Sequence, residues 1–499
     1  MELMIALLPI VAIVGCLFLL KQSSLRAAIC AYVITVIITK WSSVFPLFTK
    51  EIFHASFKGV LISFIVAYVL FFGIFLFHLM KQSGAIDVIA AFISQATDDK
   101  MLQVIILVIG FSPLIESASG FGTAFLIVAP VFIALGFAPF RAALIGLISL
   151  LAVPWGALAT GMVVGAEIGD LSLQKVGIGS AVMSIPVFLY FVVAAVFIAG
   201  GKRALQEKWK EITFFSILFG LSVLFFNAYV SVELAGVLAA LITTTLGVGL
   251  LKIKAKKREE TVAELSAAAE KNSFTILKVM SPYLLLTFCI FLSRLVPNIN
   301  HFLTSHLVID LPAYSYSLAL LYSPGFWLFV ASLFAIFILK IHWQVVRTSL
   351  RLTIKQWVPF FISTSAFVAM AEVMTEAGMT MFIANAAATA FGTSFVIISP
   401  FIGGLGGFLT GSNAGSNAMF IQLQMQTAKS LGISPDLYIY IQNTSASHAS
   451  MASPARVMLG SSLLGIRSAE NDLLKSISLV VIGALFVIIL MSLGWMWLF

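Results

Sequence analysis

Two short stretches hold residues out of character with their surroundings. FSPLIESASGFGTA, at 111–124, carries Glu116, Ser117, Ser119, Gly120, Gly122 and Thr123; FLTGSNAGSNAMF, at 408–420, carries Gly411, Ser412, Asn413, Ser416 and Asn417. Both interrupt long apolar runs. Ser and Asn compete with the backbone for hydrogen bonds, and each glycine weakens a helix interior by about 1 kcal/mol. Backbone exposed to lipid cannot stay open, so a break at membrane depth must face protein or a watery cavity. The spacing therefore predicts two pairs of half-helices meeting at polar tips. Pro113 helps to end the first half-helix, and the second begins near Phe121. Half-helix N-termini pointing inward offer free amides and a positive dipole end, which suits a carboxylate. The plainer reading of one such stretch is close helix packing by small residues; two at related positions favour binding.

Three ionisable residues sharpen this. Glu116 lies within an apolar hairpin, where a carboxylate is costly and usually functional, and where desolvation lets it carry a proton. Capping the tip amides is its structural alternative. IQNTSASHASMASPARV, at 441–457, places Asn443, Thr444 and His448 in a would-be span too polar to face lipid, with Pro454 able to open the ladder. It should line the same cavity. His448 has a side chain that titrates near neutral pH. Arg456 can grip a carboxylate with its planar fork or snorkel to the boundary. VPWGALATG, at 153–161, is interrupted in the same way by Pro154 and Gly156. His78, Glu372 and Glu376 lie near span ends, where solvation is the simpler account.

The elements that must position these residues follow from composition. Of 499 residues, 61% are hydrophobic and 10% charged, a balance that excludes a soluble protein and defines an all-α polytopic membrane protein in the lipid bilayer. The net charge of +8 lies in short loops, where it sets orientation, and signals no nucleic acid. Cys16, Cys30 and Cys289 fall in apolar segments, against a disulfide or metal framework. The glycine-rich runs lack the Lys-Ser/Thr ending of a P-loop, which excludes that motif and, with no soluble module in the chain, argues against an ATP-driven pump. No metal or nucleophile cluster supports an enzyme, and no cofactor is expected. The first twenty residues read as a retained span.

Apolar runs predict about twelve transmembrane helices, at roughly 3–20, 27–47, 57–80, 140–163, 176–200, 212–229, 232–250, 275–296, 317–339, 356–376, 437–460 and 476–498. Two re-entrant hairpins, about 101–135 and 395–431, carry the polar tips. A polar cytoplasmic linker, 252–274, divides halves 1–251 and 275–499. With the N-terminus outside, most Lys and Arg fall on the inner side; Lys50 and Lys58 are exceptions. MKQSGAIDVIAAF from Met80 resembles MTEAGMTMFIANA from Met374 (374 − 80 = 294), and the turns closing at Pro139 and Pro435 keep nearly that offset (435 − 139 = 296). The leading spans enter from opposite sides, so the repeats should be inverted, as in many secondary transporters.

On GFLTGSNAGSNAMF (407–420), LGISPDL with QNT (431–444), MASP (451–454) and IESASGFGT (115–123), the chain resembles the lactate permease family of proton-coupled monocarboxylate transporters. The order and spacing of these motifs cover most of its length. The resemblance implies a bacterial cell-membrane symporter of lactate, glycolate or a similar 2-hydroxy acid, with a hairpin-and-broken-helix fold. It makes Glu116, Ser412, Asn413, Ser416, Asn417, Asn443 and Thr444 site candidates. Ser450 stands where the family carries a Lys, leaving Arg456 or His448 to counter a carboxylate. A sodium-coupled carrier of another organic anion is the alternative, and a homo-oligomer stays open.

Overall fold

The computed structural model describes residues 2–20, 22–86, 88, 99–120, 122–256, 263–314 and 316–498. Phe121, much of the segment after Met80 and the middle of the 252–274 linker lie outside the described residues.

Long apolar stretches close their own backbone hydrogen bonds as helices, which lipid demands. Among the described residues nine helices are long and apolar enough to cross a membrane, with four shorter apolar ones beside them. One of the nine is double. Leu173–Tyr229 turns at Gly201 (φ 70°, ψ −164°), and Gln174 Nε2 donates to the Ala228 carbonyl at 2.7 Å. Its arms therefore run antiparallel and hold the expected runs 176–200 and 212–229.

Two 34-residue helices, Thr49–Gln82 and Trp343–Glu376, cross each other antiparallel. They start 294 residues apart (343 − 49), the offset already visible between the sequence motifs. Trp357 Nε1 donates to the Ala67 carbonyl at 2.7 Å, and a Cβ on Gly59 would lie 2.5 Å from the Ala369 amide nitrogen. Near that crossing Lys58 meets Glu372 at 2.9 Å. Glu372 is thus buried and paired, not solvated as its place near a span end suggested, and Lys58 departs from the charge pattern with a partner in hand.

The first polar-tipped segment and the first broken helix lie in the interior. In Lys100–Ser119 and Pro139–Gly169, 94% of the most apolar window is buried by protein, against 33% for Ser24–Trp41 and 39% for Arg467–Trp497. The latter helices turn their apolar surface outward. Within Lys100–Ser119 the expected stop at Pro113 does not occur. A π-turn at Leu107–Phe111 precedes Pro113, which sits in the first turn of Ser112–Ser119, where a missing amide donor costs nothing.

The chain is not wholly helical. Strands β1 (Val308–Leu311) and β2 (Tyr316–Ala319) pair antiparallel, Val308 opposite Ala319 and Leu311 opposite Tyr316. Tyr316 and Leu318 point inward while Ser317 is exposed, an alternation that suits a half-buried strand. The apolar run expected from 317 consequently becomes helix only at Pro324.

Candidate functional site

At the first tip, Ser112–Ser119 ends at Gly120 and the returning helix Thr123–Ala134 starts after Gly122. Both glycines have positive φ, 68° and 74°, which lets the chain reverse within a few residues. Glu116 is fully buried. Its Oε1 accepts the Gly122 amide at 2.9 Å. The side chain thus caps the returning helix itself. Its Oε2 is buried without a hydrogen-bond partner. Ser119 and Thr123 share a hydrogen bond, one hydroxyl donating to the other, and the accepting hydroxyl gives its own proton to a carbonyl, Ser119 to Ile115 at 2.6 Å or Thr123 to Gly120 at 2.8 Å. Those two hydroxyls brace the turn. Ser117 points away, its Oγ 2.3 Å from where a Cβ on Gly236 would stand.

At the second tip, Phe395–Thr410 ends at Gly411 and Ser412 caps the helix Asn413–Ser430, its Oγ accepting the Gly415 amide at 3.1 Å. The amides of Asn413 and Ala414 have no intrahelical acceptor by helix geometry. Behind them, Asn413 Nδ2 and Asn417 Nδ2 each donate to Asn443 Oδ1 at 2.9 Å. Asn417 Nδ2 also donates to the Gly161 carbonyl at 2.9 Å, and Asn443 Nδ2 donates to Ser180 Oγ at 2.8 Å. Ser416 is held by Gln442, whose Nε2 donates to its Oγ at 3.0 Å. This polar seam ties the second tip to both interrupted helices.

Those interruptions are full breaks. After the 3₁₀ turn Ser149–Trp155 the chain is extended at Gly156, and Ala157, Leu158 and Ala159 take left-handed dihedrals (φ 40°, 57° and 65°), at about 1–2 kcal/mol each. Trp155 anchors the break, fully buried and donating from Nε1 to Asn227 Oδ1 at 3.2 Å. In the second case Pro435–Ala449 stops, one 3₁₀ turn follows, and a new helix, Pro454–Leu463, starts behind Ser453. The interruption expected in this span is a complete break, and it turns Arg456 back toward the tips. Its Nη2 donates to the Gly411 carbonyl at 3.0 Å, and its Nε would lie 3.1 Å from a Cβ on Gly122. One guanidinium therefore contacts both tips, while Nη1 is buried without a partner.

Glu116, Gly120, Gly411, Ser412, Asn413 and Arg456 border one cavity, closed by Val153, Gly156, Ala157 and Thr160 of the first broken helix and by Leu70 and Phe360 of the crossed pair. It offers water-sized molecules about 40 Å³ for their centres; one water needs about 10–15 Å³ by that measure. Glu116 and Arg456 are each the charged group acting on the other, without a direct ion pair. Of the other candidates, Gly122 backs Arg456, and Ser117, Ser119, Thr123, Ser416, Asn417, Asn443 and Thr444 stand outside the lining. His448 is also outside, its ring between Phe188 and Phe191 at centroid distances of 6.2 and 5.3 Å. Its Nε2 lies 3.4 Å from Ser184 Oγ. No three His, Cys, Asp or Glu gather as metal ligands among the described residues.

Sequence reading passed over Leu70, Phe360, Thr160, Gln442 and Ser180. The first two sit in unbroken apolar helices and carry no signal. Thr160 had one, as the only hydroxyl in VPWGALATG.

Helices that cross a membrane, interrupted in pairs around a buried polar cavity, define a multi-pass helical membrane protein. Residues 2–498 match the L-lactate permease family, and the chain belongs to that family, in the bacterial cell membrane. It is 27% identical to an L-lactate permease of Streptococcus iniae over 86% of this chain and 92% of that one. Identity to the L-lactate permease of Bacillus subtilis (strain 168) is 27%, over 82% and 81% respectively. The glycolate permease GlcA of Escherichia coli (strain K12) is 25% identical over 95% of this chain and 91% of its own.

Proposed function

We propose that this chain is a secondary carrier that moves a small monocarboxylate of lactate or glycolate size together with one proton, bound in the cavity between the two tips. The observation that carries the reading is a pair of buried, unpartnered atoms on residues bordering that cavity, Arg456 Nη1 and Glu116 Oε2. A guanidinium already held by the Gly411 carbonyl presents its second fork nitrogen to a substrate carboxylate. The Asn413 and Ala414 amides, at a helix N-terminus, favour the same charge. The names and substrates of the family relatives agree with this chemistry.

Charge balance supplies the coupling. Without substrate, ionised Glu116 and Arg456 neutralise each other. A second carboxylate beside Glu116, at roughly 5 Å and an effective dielectric near 20, costs about 3 kcal/mol. That corresponds to roughly a hundredfold preference for binding with Glu116 protonated. One proton then accompanies each monoanion and the loaded site carries no net charge. Inverted repeats would let the two tips expose the site alternately to opposite faces.

The test is uptake of labelled lactate into proteoliposomes holding the purified protein. An inward proton gradient should drive accumulation, replacing sodium should leave it unchanged, and no net current should accompany it. Accumulation that requires sodium, or current that scales with substrate, refutes proton symport by this route.

A further inference from the structure

We infer that Leu70 and Phe360, one from each of the two crossed 34-residue helices, form the wall that reads the substrate's carbon chain and sets its upper size. The inference rests on the cavity being the monocarboxylate site. Its polar side is built from the tips and the broken helices: Glu116, Arg456, Asn413 and Thr160. Leu70 and Phe360 are its lining residues from outside those elements, and both are buried, 2% and 9% exposed. A carboxylate held at Arg456, with the neighbouring hydroxyl among polar groups, leaves its remaining substituent for the apolar wall. A methyl group fits against such a surface. In a cavity of about 40 Å³, a longer chain must displace a Leu or Phe side chain.

The wall's rigidity has a visible cause. Leu70 stands one turn from Ala67, whose carbonyl accepts Trp357 Nε1 at 2.7 Å; Trp357 lies three residues from Phe360 on the facing helix. The hydrogen bond pins the two helices together at the level of the wall, so neither side chain recedes without separating the pair. Tips and wall belong to different parts of the fold, so anion recognition and chain-length recognition are physically separable.

The experiment compares unlabelled glycolate, lactate, 2-hydroxybutyrate and 2-hydroxy-4-methylpentanoate as inhibitors of labelled lactate uptake in proteoliposomes. The wild-type protein should favour the two smallest acids. Because one methylene in an apolar pocket discriminates by about 10–200-fold, Phe360→Ala or Leu70→Ala should improve 2-hydroxybutyrate relative to lactate by about tenfold or more. Leu70→Phe should penalise lactate relative to glycolate. Phe360→Leu and Leu70→Val, milder changes, are read by the same ratios should an alanine variant fail to accumulate. Ratios that match wild type in every variant retaining uptake overturn the wall while leaving the proposed function intact. Absence of monocarboxylate uptake by the wild-type protein overturns that function itself.

Discussion

Glu116 shows how one side chain holds both a structural and a chemical role. Its Oε1 is committed to the Gly122 amide, which keeps the first tip folded, and its Oε2 has no hydrogen-bond partner. A glutamine keeps the acceptor and removes the titration. Glu116→Gln should therefore accumulate normally in the membrane and retain lactate exchange across liposomes. It should lose uptake driven by a proton gradient, and gradient-driven uptake at the wild-type rate would remove Glu116 from coupling. His448 is built differently, boxed by Phe188 and Phe191 away from the cavity lining. That aromatic surrounding favours a packing role.

Between elements, contact distances decide what a position tolerates. Gly407 lies where a Cβ would come within 2.0 Å of the Ala446 carbonyl oxygen, so the second hairpin and the second broken helix touch backbone to backbone. Gly407→Ala should destabilise the detergent-solubilised protein by about 1–3 kcal/mol, the usual cost of overpacking. Gly494→Ala, with nothing within 4 Å and a better helix former in a helix interior, should keep or raise the melting temperature. Equal melting temperatures for both variants would show that the helices separate freely there.

Asp99, ahead of the first hairpin, ties that element to the Leu173–Tyr229 fold-back through Lys208 and caps it through the Leu102 amide at 3.2 Å. Burial by itself would raise its carboxyl pKa, but the bonds from Lys208 and Leu102 outweigh it and hold the group below the ordinary carboxylate range. A folded-state pKa lowered in this way stabilises the protein above the unfolded value, and the contribution disappears as pH falls through the folded one. Melting temperature should therefore drop below about pH 4, less steeply in Asp99→Asn. Identical slopes would assign acid sensitivity to other groups.

For the molecule as a whole, the proposed inversion makes a claim about sidedness. Ala138 and Ser434 are both exposed, each just before the proline that opens a broken helix. Single cysteines there, in a background lacking the three native ones, should be labelled by an impermeant reagent from opposite faces, position 138 inside and 434 outside. Labelling of both from one face would mean parallel repeats.

Much was legible before any tertiary information. Gly120, Gly122 and Gly411 announced the tips because a reversal at membrane depth has few chemical solutions. Runs of apolar residues marked the chain as membrane helices because lipid leaves backbone no other partner than its own helix. Other features could not be read this way. Leu70 and Phe360 look like dozens of other apolar helix residues, and only the crossing of their helices brings them to the cavity. The alternation of Tyr316 and Leu318 about Ser317 was hidden in an apolar run that suited a helix equally well.

The sequence alone determined the class, a multi-pass membrane protein built from apolar helices, and the two polar tips, both consequences of local composition and backbone hydrogen bonding. Tertiary structure decided which of the tip residues share a cavity. It turned Arg456 toward Gly411 and Gly122, spent Ser119 and Thr123 on bracing the turn, and set His448 aside. The placement of Arg456 beside Gly122 and of His448 between Phe188 and Phe191 depends on contacts between residues hundreds of positions apart, which local pattern does not encode.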